Sequence, residues 1–306
     1  MRVSVVICTH TPERYESLRE ATASVRAQTH ADVELVLVSD GDREVYERVR
    51  ADYGDRDDVI VHEMEQNRGL AASRNAGADL ATGDVVAFLD DDAIADEEWI
   101  ARLVEAYESA DALAAGGRMT PAWVAGKPDF LPEEFYWLVG VTHRGFADAP
   151  GEVRNTFGSN ISFRADVFEE LGGFDPDILG RRGGKNLQAE EPELCARLRR
   201  EYGRGVYYDP EATVAHKVFD YRTDPRWLLN RAFWQGYSKR VMADLVPEST
   251  GAETGFLGMV VRESIPERIA GLFRGSRTDG LQLLALVGFT AAVGAGYLYG
   301  LLTRRT

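Results

Sequence analysis

The sequence predicts an α/β protein: a mostly parallel sheet flanked by helices, followed by a C-terminal helical segment suited to a membrane. Three observations carry this. Strand-like apolar runs alternate with helical periodicity through residues 1–92, one of those runs (GDVVAFLDDD, 83–92) stops on three aspartates, and residues 281–302 contain no charge. Strands separated by helices imply right-handed crossovers and parallel pairing, and a run apolar at every position reads as a strand buried on both faces.

The elements follow in order. Val3 to Ile7 is an apolar run too short for a signal-peptide core, so it reads as the first strand. Leu18, Ala21 and Val25 recur at helical spacing within a helix from about Glu13 to Gln28. VELVLVS (33–39) is the second strand, Val45 to Arg50 a second helix, VIVHEM (59–64) the third strand, and a helix through Arg74 to Leu80 leads into VVAFL (85–89). This is a Rossmann-like layer, in which ligands gather beyond the carboxyl ends of the strands.

From Arg118 to Gln188 the rhythm breaks, with five prolines and the aromatics Trp123, Phe130, Phe135, Tyr136, Trp137 and Phe146. Long irregular segments in compact domains are commonly binding loops, so the acceptor side is expected here. Within it FGSNISFRADVF reads as a strand entering a helix, and LGRRGGKNLQ (179–188) as a mobile glycine-rich basic loop. A helix from Glu190 to Tyr202 and a strand at Val206 to Tyr208 resume the pattern.

The 22 residues LQLLALVGFTAAVGAGYLYGLL (281–302) would span roughly 33 Å as a helix, against a hydrocarbon core of about 30 Å, and so are able to cross a membrane. Gly296 and Gly300 form a GxxxG. A buried core helix, or a re-entrant hairpin broken near Gly288 or Gly294, is the alternative. Ser264 to Phe273 reads as an amphipathic interfacial helix.

Composition sets bounds. A chain of 306 residues, 44% hydrophobic, buries a substantial core. A net charge of -15 excludes nucleic acid as a partner, because a backbone-binding protein needs a basic footprint. Lys127, Lys185, Lys217 and Lys239 are its only lysines, and an acidic surface with so little Lys suits a high-salt cytoplasm. Cys8 and Cys195 are two widely separated thiols, which fit a reducing compartment and no disulfide framework.

Asp90, Asp91 and Asp92, packed at the end of an apolar strand, repel one another and would partly protonate unless a cation neutralised them. Hard oxygen ligands suit Mg²⁺ or Mn²⁺. Asp55, Asp57 and Asp58 form a similar cluster in a polar stretch and read as a solvated loop.

Six segments occur in sequence: VSVVICTHTPERYESL, VELVLVSDGD, NRGLAASRNAGADLATGDVVAFLDDD, GSNISFRADVFEELGGFD, AEEPELCARLRREYG and YDPEATVAHKV. Together they resemble glycosyltransferase family 2, enzymes of the GT-A fold that transfer sugars from nucleotide-sugar donors with inversion. The likeness covers about residues 1–217. It implies a catalytic domain there, with a nucleotide-sugar half (1–117) and an acceptor and catalytic half (118–217). A helical extension (218–263) and a membrane-associated segment (264–306) follow.

The resemblance also assigns residues. Thr9 and Asp40 lie at the donor edge, with Asp40 on the base; Ser39 stands where the family commonly shows a further Asp, and Asp40-Gly41-Asp42 alone reads as an ordinary turn. Asn67 and Arg74 match the segment leading to the metal strand, Arg74 offering a planar fork to diphosphate or uracil. Asp92 falls on the metal position, Asp90 on the ribose or the metal's surroundings, Asp91 on the donor, and His216 near metal or diphosphate. Glu190 and Glu191 match an acid pair before a helix, with Glu191 as the base on the acceptor hydroxyl. The plainer reading of both acids is a favourable helix N-terminus, with Pro192 in its first turn. Trp137, Asn160, Arg181, Arg182, Lys185 and Trp234 are placed on the acceptor side. The QxxRW of processive synthases is missing, so one sugar per encounter is expected.

Other classes fit less well. CTHTPE follows the first strand where a dehydrogenase carries GxGxxG, and no P-loop string occurs. A sugar nucleotidyltransferase shares the layer and the metal but calls for a glycine-rich, lysine-bearing loop there. A non-catalytic, membrane-anchored sugar-nucleotide or lipid-glycan binder would keep the fold without turnover, and intact Asp90, Asp92 and Glu191 argue against it. The C-terminal segment and acidic composition make the chain similar, within the family, to transferases extending dolichol-phosphate-linked glycans in archaeal protein N-glycosylation. That likeness implies a UDP-sugar donor, glucuronate as the sugar moved, a dolichol-phosphate-linked saccharide acceptor and Mn²⁺ or Mg²⁺. It also implies a place at the cell membrane with the catalytic domain facing the cytoplasm.

Overall fold

The computed structural model describes residues 1–178, 180–182, 185–187, 189–245 and 252–303. They divide into two units: the first holds residues 1–120, 147–180 and 190–216, the second 121–146, 181–189 and 217–306.

The first unit opens with the repeating β/α pattern: β1 (Val3–Thr9), α1 (Tyr15–Arg26), β2 (Val33–Asp40), α2 (Arg43–Tyr53), β3 (Val59–Met64), α3 (Leu70–Leu80) and β4 (Val85–Asp90). β1 pairs in parallel with both β2 and β4, and β2 with β3. The register sets Thr9 opposite Ser39 and Cys8 opposite Asp90, so the carboxyl ends of β1, β2 and β4 form one edge carrying Thr9, Asp40 and Asp90. α1 starts two residues later than its periodicity predicts, because Pro12 to Arg14 form a separate 3₁₀ turn. Asp42 caps α2 through a Val45 N–H···Oδ1 bond of 3.0 Å.

Beyond β4 come β5 (Ala93–Ala95), α4 (Trp99–Ser109), β6 (Ala114–Trp123), β7 (Gly151–Val153), β8 (Ile161–Arg164), α5 (Ala165–Glu170), β9 (Gly180–Arg182), β10 (Lys185–Leu187), α6 (Glu190–Tyr202) and β11 (Val206–Val218). The sheet order is β3-β2-β1-β4-β8-β6-β11-β5, with β7 on β11. β8 is antiparallel to β4 and β6, so the sheet is mixed, and β9 and β10 make a separate two-stranded sheet. Sequence reasoning covered neither β5 nor α4, and read β11 as two pieces, Val206 to Tyr208 and the strand-like EATVAH (211–216).

Alternation along the strands splits the core. Val3, Val5, Ile7, Leu35, Leu37, Val85, Ala87 and Leu89 face one layer with Leu18, Val49, Trp99 and Leu103. Val6, Val36, Val38, Val86 and Phe88 face the other with Phe168, Phe174, Leu194 and Leu198. Each fully buried Leu, Val or Phe contributes about 1.5–3 kcal/mol. That explains why β4 is apolar from Val85 to Leu89, and why β1 and β2 are apolar at most positions.

In the second unit a 3₁₀ segment, Glu133–Val139, precedes α7 (Pro225–Leu245), α8 (Ala252–Met259), α9 (Ile265–Phe273) and α10 (Arg277–Thr303). Its core joins Leu131, Phe135, Leu138, Val141, Leu228, Ala232, Val260, Leu286 and Phe289. α10 is one unbroken helix, so no hairpin break occurs at Gly288 or Gly294.

Candidate active site

Thr9, Asp90, Asp91 and Asp92 converge at the carboxyl edge of β1 and β4. Asp91 and Asp92 are buried, which is costly for two adjacent anions. Burial and the neighbouring Asp92 charge push the Asp91 carboxyl up to about 7, against the opposing pull of Arg14 and the Thr9 hydroxyl. The structure supplies one monovalent answer to this excess charge: Arg14 Nη1 lies 3.2 Å from Asp91 Oδ1 and also pairs with Asp92. Sequence reasoning missed Arg14; the only local signal was a lone cation in THTPERYESL, 77 residues from Asp91.

β5 explains how His216 joins the group. The antiparallel register sets His216 of β11 opposite Ala93, directly after the aspartates, and His216 Nε2 lies 3.3 Å from Asp92 Oδ1. Asp90, Asp92 and His216 each offer a ligand atom within 4.8 Å of the others. Two carboxylates and an imidazole in a space of that size fit a divalent cation, and the surplus negative charge at Asp91 calls for one.

Arg74, on α3, is almost fully buried and links the two halves of the site. Its Nη2 donates to Asp90 Oδ1 at 2.8 Å and its Nη1 to Glu191 Oε1 at 2.9 Å. Burial opposes its charge, and Asp90 and Glu191 outweigh that to hold it firmly protonated. The guanidinium also lies 5.5 Å from the Phe174 ring centroid, a cation–π contact that fixes the fork's plane. Glu191 sits in the first turn of α6 beside Glu190. Gly158 makes room for it: a Cβ there would lie 1.8 Å from Glu191 Oε1 and 2.7 Å from Arg74 Nη1. Next to it the Ser159 hydroxyl accepts the Asp90 N–H at 3.0 Å, so the 158–159 turn supports both the acid edge and Glu191.

The remaining predicted residues have the following surroundings. Asp40 is buried, and its two carboxylate oxygens accept the Arg68 and Gly69 N–H groups at 2.8 and 3.0 Å, fastening the loop that starts α3. Asn67 is exposed and donates to the Asp40 carbonyl at 3.2 Å; Gly41 (φ +75°) allows this close approach, since a Cβ would lie 2.1 Å from Asn67 N. Asn160 is fully buried, its Oδ1 accepting from Trp99 Nε1 (2.9 Å) and Gly117 N (3.1 Å) and its Nδ2 donating to Ala212 O (2.9 Å) and Arg118 O (3.2 Å), so its side chain ties β8 to β6 and β11. Trp137 and Trp234 belong to the second unit, packing on Phe135 and on Phe233, Tyr237 and Tyr299 respectively. Arg181, Arg182 and Lys185 fall on the backbone of β9 and β10; their side chains lie outside the described residues.

A mixed sheet whose parallel edge carries a carboxylate–imidazole cluster, bridged by a buried arginine to an acid at a helix start, defines a GT-A glycosyltransferase. The chain belongs to glycosyltransferase family 2, whose model, "Glycosyl transferase family 2", matches residues 4–172. It is 51% identical over 305 residues, 99% of this chain and 97% of the relative, to the glucosyl-dolichyl phosphate glucuronosyltransferase of Haloferax volcanii. It is 29% identical over 252 residues to the succinoglycan biosynthesis protein ExoM of Rhizobium meliloti, covering 80% of this chain and 76% of ExoM. Among solved structures, the mannosyltransferase PcManGT from Pyrobaculum calidifontis, in complex with GDP-Man and Mn²⁺, shares the fold with a TM-score of 0.59 at 15% identity, over 97% of this chain and 87% of that one. Family membership sets the sugar nucleotidyltransferase reading aside.

If Arg14 serves as the resident counter-charge of the aspartates, a divalent ion has to displace it. Charge-assisted hydrogen bonds of this kind are worth about 1.5–3 kcal/mol, so Arg14→Gln is expected to bind Mn²⁺ alone at least about 10-fold more tightly than the native chain. Titration calorimetry without nucleotide measures this; unchanged or weaker affinity would show that Arg14 does not compete for the site.

Proposed function

We propose that this chain moves one glucuronate from UDP-glucuronate to a dolichyl-phosphate-linked saccharide, at the cytoplasmic face of a membrane, as a step in protein N-glycan assembly. The observation that carries the proposal is the 51% identity to the Haloferax glucuronosyltransferase, which runs through the C-terminal helices as well as the catalytic fold. Two unpaired thiols, Cys8 and Cys195, support a reducing cytoplasmic setting.

In this reading Asp90, Asp92 and His216 hold a divalent ion, Mn²⁺ or Mg²⁺, which when bound neutralises diphosphate charge. Arg74 orients the reacting groups: it fixes Asp90 on the donor side and Glu191 on the acceptor side with one rigid fork. Glu191, held through Oε1, takes the acceptor hydroxyl proton on its other oxygen as the new glycosidic bond forms and the bond to UDP breaks. One base and one direct displacement give inversion at the sugar carbon. Thr9, Asp40 and Asn67 shape the donor edge, and Trp137, Trp234 and the basic residues of β9 and β10 are assigned to the acceptor.

The test is a donor panel. Purified chain with Mn²⁺ and a short dolichyl-phosphate glucose acceptor is offered UDP-glucuronate, UDP-glucose, UDP-galactose and UDP-N-acetylglucosamine, and products are read by mass spectrometry. A glucuronate adduct on the lipid-linked glucose is expected. Preferential transfer of a neutral hexose would overturn the donor assignment, and transfer to free glucose alone the acceptor assignment.

A further inference from the structure

With the hairpin removed by its unbroken helix, α10 is left with two fates from the sequence, a bilayer span or a buried helix, and its packing fits neither. One side of the helix is committed to protein along its length. Leu286 and Phe289 enter the core of the second unit, Phe289 with its ring centroid 5.3 Å from that of Phe135. Further along, α10 meets α7 almost backbone to backbone: a Cβ on Gly296 would lie 1.8 Å from Phe233 O, one on Gly236 1.9 Å from Val293 O, and one on Gly300 3.0 Å from Arg240 Cβ. The opposite side carries Leu284, Val287, Ala291, Gly294, Leu298 and Leu302, all exposed and recurring every three or four residues. This apolar stripe holds no charge and runs for about 27 Å.

A helix crossing the bilayer would take its neighbours with it. α7 carries Arg231, Gln235, Lys239, Arg240 and Asp244 along the stretch that touches α10, and Glu134 of the 3₁₀ segment forms a buried ion pair (2.7 Å) with Arg268 of α9. Each Arg, Lys or Asp brought to the bilayer centre costs about 2.5–3.5 kcal/mol on insertion scales, so a crossing α10 is opposed several times over. A helix lying in the surface has no such penalty: it buries one apolar side about 5–10 Å deep and keeps its protein side out of the hydrocarbon.

We propose that α10 attaches this protein to the membrane as an in-plane helix, its Leu284–Leu302 stripe sunk into one leaflet and its glycine side on α7. The proposal rests on the membrane setting proposed above and specifies its geometry. α9 adds Ile269, Leu272 and Phe273, the last 88% exposed, and Arg262, Arg274 and Arg277 are exposed along this stretch, outnumbering the exposed acids Glu263 and Glu267, of which Glu267 is paired with Arg144 at 2.6 Å, an arrangement suited to anionic headgroups. The alternative cover, a second copy of the chain, does not account for basic residues next to an uncharged stripe.

Depth measurement decides between the geometries. Nitroxide labels are placed singly at positions 284, 291, 298 and 302 of the full chain, in a Cys8→Ala, Cys195→Ala background, on phosphatidylcholine–phosphatidylglycerol vesicles. Oxygen and nickel-chelate accessibilities then report depth. All four are expected at a similar shallow depth of about 5–10 Å. A profile deepest at 291, near the bilayer midplane about 15 Å down, with 302 at the far surface would overturn the proposal in favour of a span. Labels left in water, or shielded by a second copy, would overturn it as well. Independently, Leu284→Glu with Leu298→Glu is expected to lose at least 10-fold in vesicle flotation with an unchanged unfolding midpoint, because neither side chain touches the α7 seam; undiminished flotation contradicts the proposal. No donor, acceptor or metal enters either experiment, so failure of the transfer reading and failure of this one are told apart.

Discussion

Asp92→Ala is expected to abolish the metal dependence of donor binding. Asp92 is 2% exposed, contacts His216 and Arg14, and offers one of the three clustered ligand atoms. Removal of a residue that merely supports a metal ligand typically costs about 10–100-fold in metal affinity, so loss of a ligand should cost at least that. UDP titrated by calorimetry with and without Mn²⁺ should bind the native chain far more tightly with the metal, and bind the variant equally in both. Asp57→Ala is the control: it removes the same charge from an exposed loop and should leave the metal dependence intact. If Asp92→Ala retains that dependence, the ion is held elsewhere. An unfolding scan separates this from collapse of the site, and Asp92→Asn, which keeps the shape, should repeat the loss.

The parts legible in the sequence were those whose physics is local. VVAFL followed by three aspartates announces a buried strand and an acidic edge within ten residues, and the strand spacing of residues 1–92 fixes a parallel sheet before any contact is known. Contacts made at long range were not legible. Arg74 reaches Glu191 across 117 residues, so the resemblance marked both without showing that one holds the other. β5 is three residues long, too short for periodicity, yet its register sets His216 opposite Ala93, the residue after Asp92. Nor was the internal role of Asn160 legible, whose side chain ties the sheet through four hydrogen bonds to residues 42 to 61 positions away in the sequence. For α10, length and hydropathy measure only whether a helix is able to cross a bilayer; the glycines that commit one side to α7 are visible as GxxxG, but their partner is not.

Glu191→Gln is expected to lower turnover about 10²- to 10⁴-fold while leaving UDP-sugar affinity nearly unchanged, the signature of a lost proton acceptor. The geometry makes this substitution a clean one. A glutamine carbonyl can take the place of Oε1 against Arg74, and its volume suits the space that Gly158 leaves, so Arg74 should keep its hold on Asp90 and the donor side should not feel the change. Glu190→Gln should cost much less, since Glu191 is the acid that Arg74 holds at 2.9 Å. Glu191→Asp keeps a base but withdraws it by one methylene from a contact of 2.9 Å, so partial recovery relative to Gln is expected, and the size of that recovery measures how far the start of α6 can adjust. Single-turnover transfer and donor affinity, measured side by side for all three variants, test the assignment. Near-normal transfer by Glu191→Gln together with loss in Glu190→Gln would move the base one residue back, and equal loss of donor affinity and turnover in Glu191→Gln would make the residue a binding group instead of a base.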